Sequence, residues 1–215
     1  GNTIVLKPAE TTPLTAMKLA ELIQEADLPP GVVNIVTGAG KTGSEIVSHP
    51  DINKVAFTGS TAVGKMIQKA LAGSQKKYTL ELGGKAAHII FDDAAINQAV
   101  EGIVNGIFFN QGHVCCAGSR LYVQEGVAEE VMSKLKHRMD SLIVGSPLDK
   151  NTDIGAINSK MQLDKIKDLV QSGRDEAGII YQPDCNLPKN GYFYKPTLIS
   201  NVSQSHRVVQ EEIFG

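Results

Sequence analysis

Two periods of apolar residues alternate along the chain: short β-branched runs, and longer stretches in which apolar residues recur every three or four positions. The first predicts strands and the second amphipathic helices. Thr3 to Pro8, "TIVLKP", reads as a short buried strand stopped by its proline. "TTPLTAMKLAELIQEADL" then carries Leu14, Met17, Leu19, Leu22 and Ile23 at helical spacing, with Thr12 as N-cap and Pro13 in the first helical position. "GVVNIVTG", "KVAFTGS" and "KKYTLELGGK" follow as strands, separated by helices in "KTGSEIVSHP", which Pro50 ends, and "TAVGKMIQKALAGS". Strand–helix units with short connections predict an α/β fold with a parallel sheet covered on both faces.

After Gly83–Gly84 the pattern starts again, with "AAHIIF" a strand and "DDAAINQAVEGIVNGIFF" a helix capped by Asp92 or Asp93. Strand "SRLYVQ", helix "GVAEEVMSKLKHRMDSLI" and a turn-rich loop "VGSPLDKNTDIGAI" come next. A helix near "SKMQLDKIKDLVQSG", a strand "GIIYQ" and an extended "YFYKPTLIS" complete the second half. A double glycine turns a chain readily, so two lobes are expected, residues 1–83 and 84–215.

Composition narrows the classes. At 215 residues, with 42% apolar and 20% charged residues, the chain suits a soluble globular protein with a real core. A net charge of −2 and the absence of tryptophan argue against a nucleic-acid surface. No apolar run approaches the roughly 20 residues a membrane helix needs, so no membrane partner is expected. Three cysteines, two of them adjacent and none in a CxxC pair, fit neither a disulfide framework nor a structural zinc site. A reducing, cytosol-like compartment follows, and no metal is expected.

Four places carry candidate chemistry. In "KVAFTGSTAVGK" Gly59 follows a strand and Ser60 opens a helix, a junction whose N–H groups and dipole suit a phosphate; ordinary capping explains it as well. Lys7 stands at the carboxyl end of the first strand, where ligands bind in open parallel sheets, and with Glu10 it suits a ribose diol, or a plain surface ion pair. Glu81 ends an apolar strand beside two glycines, a partly desolvated place for a general base, or for a partner to Lys85. "GIFFNQGHVCCAGSR" sets Cys115 among small residues within a substrate's reach, and a thiolate is the strongest side-chain nucleophile near neutral pH. Cys116 and Cys185 read as core fillers.

Together with "GNTIVLKPAE" and the terminal "QEEIFG", these blocks stand in the order and spacing of one family, and the chain resembles the aldehyde dehydrogenase superfamily along essentially its whole length. The resemblance implies a partial Rossmann-like nucleotide-binding domain over residues 1–83 and a partial α/β catalytic domain over 84–215. It implies an NAD-dependent oxidoreductase (NADP being the alternative) that takes an aldehyde to a carboxylic acid through a thiohemiacetal and thioester. By this resemblance Cys115 is the nucleophile and Glu81 the base that activates water. Lys7 and Glu10 match the adenosine-ribose contacts, Ser60 the pyrophosphate contact, Gly59 and Leu82 further cofactor contacts, and Glu212 and Phe214 the nicotinamide ribose and ring contacts. A small-molecule aldehyde is the partner implied, in a cytoplasmic homodimer or homotetramer; a mitochondrial address is the alternative if a targeting segment precedes Gly1.

The sequence departs from that family at His113, where glutamine is usual, so thiol acidity and local hydrogen bonding are expected to differ. The chain opens on a strand and stops at "QEEIFG", which suggests an internal fragment with an exposed sheet edge and little activity alone. A second reading is a catalytically weak or non-enzymatic relative kept as a binding or scaffold subunit. Rapid labelling of Cys115, slowed by NAD, would favour the enzyme.

Overall fold

The computed structural model describes every residue from Gly1 to Gly215 and resolves into two units, Gly1–Leu82 and Gly83–Gly215. In the first, β1 (Ile4–Leu6), α1 (Leu14–Glu25), β2 (Val33–Ile35), α2 (Gly40–Ser48), β3 (Lys54–Thr58), α3 (Thr61–Leu71) and β4 (Lys77–Glu81) follow one another as the apolar periods predict. β1 pairs in parallel with β2, Ile4 opposite Val33 and Leu6 opposite Ile35. β3 pairs in parallel with β4, Lys54 opposite Lys77 and Thr58 opposite Glu81. Parallel partners require a crossover, and α1 and α3 supply it. Val47 of α2, Val55 of β3 and Ile67 and Leu71 of α3 form this unit's core, with Phe57 and Leu80 packed against it.

Three expectations change here. Pro13 rather than Thr12 is the N-cap of α1, because the Met17 N–H bonds to the Pro13 carbonyl at 3.0 Å. The strand read as buried is open: Ile4, Val5 and Leu6 are all exposed, Ile4 at 53%. The apolar stripe of α1 buries nothing either, Leu14 standing 80% exposed. Periodicity specifies which side of an element is apolar, but burial requires a covering layer, and β1 pairs with β2 alone.

The second unit holds β5 (Ala87–Ile90), α4 (Ile96–Phe108), a 3₁₀ turn (Phe109–Gly112), β6 (Arg120–Val123), α5 (Glu125–Asp140), α6 (Lys160–Asp175), β7 (Ile179–Tyr181), β8 (Leu198–Ser200) and a short α7 (Arg207–Gln210). β5 and β6 are parallel, whereas β7 and β8 are antiparallel. Residues four apart on α5, Val131, Leu135 and Met139, interlock with Val100, Ile103 and Val104 of α4, and Leu142, Val144 and Ile154 close that core. Leu163, Ile166 and Val170 of α6 build a second cluster with Ile157. Ser159 caps α6 by accepting the Gln162 N–H at 3.2 Å.

Neither Asp92 nor Asp93 caps α4, whose N-cap is Ala95. Asp92 instead exchanges two hydrogen bonds with Gln124, at 3.0 and 2.9 Å, a partner contributed from beyond β6. α7 carries too few residues to show a period. No helix is long and apolar enough to cross a membrane.

Candidate active site

Within the first unit, the carboxyl ends of β3 and β4 bring the predicted residues together. The Gly59 N–H bonds to the Glu81 carbonyl at 3.0 Å, so the strand–turn–helix junction and the end of β4 share one edge. Ser60 has extended backbone and caps α3, its Oγ accepting the Val63 N–H at 3.3 Å. The N–H groups of Thr61 and Ala62 have no partner in the chain and lie at the positive end of the helix. A diphosphate fits that arrangement. Gly64 makes room there for the Leu82 side chain, whose Cδ2 would lie 2.5 Å from a Cβ at that position. Leu82 therefore packs on the first turn of the same helix.

At the end of β1, Lys7 does not pair with Glu10. Its ammonium donates to the Pro8 and Gly38 carbonyls, at 2.8 and 3.1 Å. An ammonium has three donors, so one is left over. The aliphatic stem lies against α2 at Gly43. Glu10 is exposed in the following turn. The Glu81 side chain is also exposed, which corrects the expectation of partial desolvation; no layer of this unit covers the end of β4.

Within the second unit, Cys115 lies in the loop after a tight turn. Asn110, Gln111 and Gly112 adopt φ values of 49°, 57° and 79° in succession. That left-handed run is costly for the two residues other than glycine, and side chains hold it. Asn110 Nδ2 donates to the His113 carbonyl at 3.2 Å, and Gln111 Oε1 accepts the Gly155 N–H at 3.1 Å. Cys115 is exposed, and its N–H and that of Cys116 make no hydrogen bond in the chain. Cys116 is exposed as well rather than packed, because the turn projects both residues before Ala117 re-enters the core. Cys185 is half-buried against the α4–α5 core.

Gly84 connects this loop to Glu212. A Cβ on Gly84 would stand 3.1 Å from the Cys115 carbonyl oxygen, and the Gly84 N–H bonds to Glu212 Oε1 at 3.1 Å. A Cβ on Gly83 would overlap the Glu212 carboxylate, so the "GG" pair admits that side chain by having none of its own. Phe214 has φ of 62°, and its ring stacks on the His113 ring with centroids 5.3 Å apart.

A cavity of about 560 Å³ opens beside the loop, with Gly84, Val114, Glu212 and Phe214 at its wall and the apolar residues Ile103 and Leu135 among those inside. Cys115 does not line it and is exposed beside it.

Lys85, in the sequence only a possible partner for Glu81, is set apart by its surroundings. Its ammonium is shielded from water and has no hydrogen-bond partner. Burial and the nearby Arg120 guanidinium pull its pKa down to about 8, Lys165 adding to the effect and Glu212 opposing it. A lysine directly after "GG" was the available signal, but only tertiary packing strips it of water.

The Aldehyde dehydrogenase family profile matches residues 1–215, the whole chain. The chain is 50% identical over 217 aligned positions to retinal dehydrogenase 2 of Rattus norvegicus, covering 100% of this chain and 42% of that protein. It is 48% identical to an aldehyde dehydrogenase of Davidiella tassiana, covering 100% of this chain and 44% of the other. The NAD+ complex of the Bacillus cereus aldehyde dehydrogenase superposes with a TM-score of 0.95 at 43% identity, covering 99% of this chain and 44% of that one. The chain thus spans less than half the length of the relatives it matches.

Proposed function

Because this chain belongs to the aldehyde dehydrogenase family, we propose that its protein oxidises an aldehyde to the carboxylic acid, with Cys115 as nucleophile and NAD as hydride acceptor. The observation that carries this reading is the exposed Cys115 on a loop braced by side-chain bonds, next to two N–H groups without partners. An exposed thiol is open to deprotonation and attack, and free N–H donors suit the oxygen that becomes negative when the thiolate adds to a carbonyl. The relatives' names and the NAD+ complex of the Bacillus cereus protein support the substrate class and the cofactor.

The residues of this chain fit a dinucleotide. Ser60 and the N-terminus of α3 would hold the diphosphate, Lys7 and Glu10 the adenosine ribose, and Glu212 and Phe214 the nicotinamide half, with Leu82 against the cofactor. Glu10 favours NAD over NADP, since a carboxylate repels a 2′-phosphate. The nicotinamide, when bound, supplies the hydride acceptor.

The chain's own residues account for the remaining chemistry. The Cys115 thiolate adds to the aldehyde carbon, giving a thiohemiacetal whose oxygen the Cys115 N–H receives. Loss of hydride leaves a thioester on Cys115. Glu81 takes a proton from water, which attacks the thioester and frees the acid and the thiol. Glu81 is exposed in this chain, so this step places it beside the thioester only when substrate and cofactor are in place.

Mass-mapped alkylation by iodoacetamide tests the reading. Cys115 should react faster than Cys185, and NAD should slow it selectively over Cys116. Equal reaction at Cys115 and Cys116 with no effect of NAD would instead support a scaffold subunit.

A further inference from the structure

His113 is where this sequence leaves the pattern it otherwise follows, and main-chain groups set its surroundings. Its Nδ1 lies 2.7 Å from the Phe214 carbonyl oxygen, and the Asn158 N–H reaches its Nε2 at 3.2 Å. Neither partner can exchange roles, since a carbonyl only accepts and a peptide N–H only donates. Nδ1 therefore carries the proton and Nε2 its lone pair. The ring is neutral and held in one tautomer.

Phe214 requires such support. A residue with a side chain keeps φ of 62° only where its surroundings over-determine it. Gln162 Nε2 donates to the Phe214 carbonyl at 2.9 Å and to the Ile213 carbonyl at 2.8 Å. His113 donates to the same Phe214 carbonyl and also covers the phenyl ring, with the two planes within 6°. The histidine is thus bonded to the left-handed residue itself and to the loop before α6, while its own backbone leads directly to Cys115.

We propose that His113 is a positioning residue: as the neutral Nδ1–H tautomer it ties the Cys115 loop to the backbone of Phe214, and it releases its Asn158 bond when Nε2 takes a proton. A proton on Nε2 would meet the Asn158 N–H donor to donor. The functional reading above is what makes Phe214's placement matter; the geometry stands without it. Facing the ring are the Phe214 carbonyl and Gly215 main chain, the Asn158 N–H from the loop before α6, and the Gln162 amide from α6. Cys115 is the nearest titratable side chain along its own loop. Burial lowers the proton affinity of His113, the Phe214 bond acts in the opposite sense, and no charged side chain contributes. A primary amide also offers both a donor and an acceptor group but does not titrate, so glutamine can replace this histidine where leucine cannot.

The test uses the full chain. Nitrogen NMR of the His113 imidazole reads the tautomer, and the expected state at neutral pH is a protonated Nδ1 and a bare Nε2. Hydrogen exchange at the Asn158 amide should speed up about tenfold relative to its intrinsic rate in His113→Leu, the size of one lost hydrogen bond. The same loss should appear in the wild type on acidification below the ordinary histidine range, and it should be absent at every pH in His113→Gln. Slowing of Cys115 alkylation by NAD should be retained in His113→Gln without an acid limb, and lost in His113→Leu. A protonated Nε2 at neutral pH, or a glutamine variant as impaired as the leucine one, overturns the proposal. If NAD fails to slow alkylation of the wild type, the functional reading falls, while the tautomer and the Asn158 exchange still decide the role of His113.

Discussion

Replacing Gly106 by alanine should destabilise the protein, although the same change one turn earlier should stabilise it. Both Gly102 and Gly106 lie within α4, where glycine to alanine gains about 1 kcal/mol of helix propensity. A Cβ on Gly102 meets nothing within 4 Å. On Gly106 it would lie 2.6 Å from Cε1 and 2.8 Å from Nε2 of His88. The ring cannot retreat toward the loop, because it also fills the space a Cβ would take at Gly118. Overpacking of this kind costs about 1–3 kcal/mol. Offset by the propensity gain, Gly106→Ala should lose up to about 2 kcal/mol. At roughly 2–4 °C per kcal/mol for a chain of this size, Gly102→Ala should raise the melting midpoint by about 2–4 °C. Gly106→Ala should lower it by up to about twice that amount. Thermal and urea melts followed by circular dichroism measure both, and a His88→Ala background isolates the ring. In that background Gly106→Ala should become stabilising, giving a coupling energy of 1 kcal/mol or more, typical of groups in direct contact, on the order given by double-mutant cycles. Equal stabilisation by the two alanines in the wild-type background would mean that His88 does not stand between Gly106 and Gly118.

Lys85 predicts a pH dependence of stability. Its pKa in the folded chain is about 8, below the ordinary 10.5. Between those values the unfolded chain holds a proton that the native chain has released, so stability should rise with pH across that window. Lys85→Met should flatten the rise in urea midpoints measured from pH 8 upward; an unchanged slope would assign it to other groups. Ser159→Ala removes the acceptor for the Gln162 N–H and should cost about 1 kcal/mol, seen as a lower urea midpoint with an unchanged slope. Leu135→Ala, in the core between α4 and α5, should cost about 2–5 kcal/mol in the same assay. A loss below 1 kcal/mol would mean that this core collapses around the deletion.

What the residues disclosed by themselves was local. Strand and helix identities in both halves follow from apolar periods of two and 3.6, which backbone geometry imposes wherever a segment lies. The Ser60 cap, the helix stop before Pro50 and the glycine-framed Cys115 loop were readable for the same reason: each depends on neighbours within a few positions. The family was legible because five such blocks keep their order along one chain.

Contacts between distant positions were not legible, and the tertiary structure alone decided them. Asp92 was free to cap α4 until β6 brought Gln124 alongside it. Lys7 had an acidic neighbour in sequence, yet carbonyls of its own turn and of Gly38, 31 positions away, captured it. The tautomer of His113 depends on Asn158 and Phe214, 45 and 101 positions further on. Periodicity could say that β1 and α1 each have an apolar side, but whether that side meets another layer is a property of the folded neighbourhood, and here it does not. Hydrogen-bond roles and burial are set by what arrives from elsewhere in the chain, whereas helix and strand preference is set by what each residue carries with it.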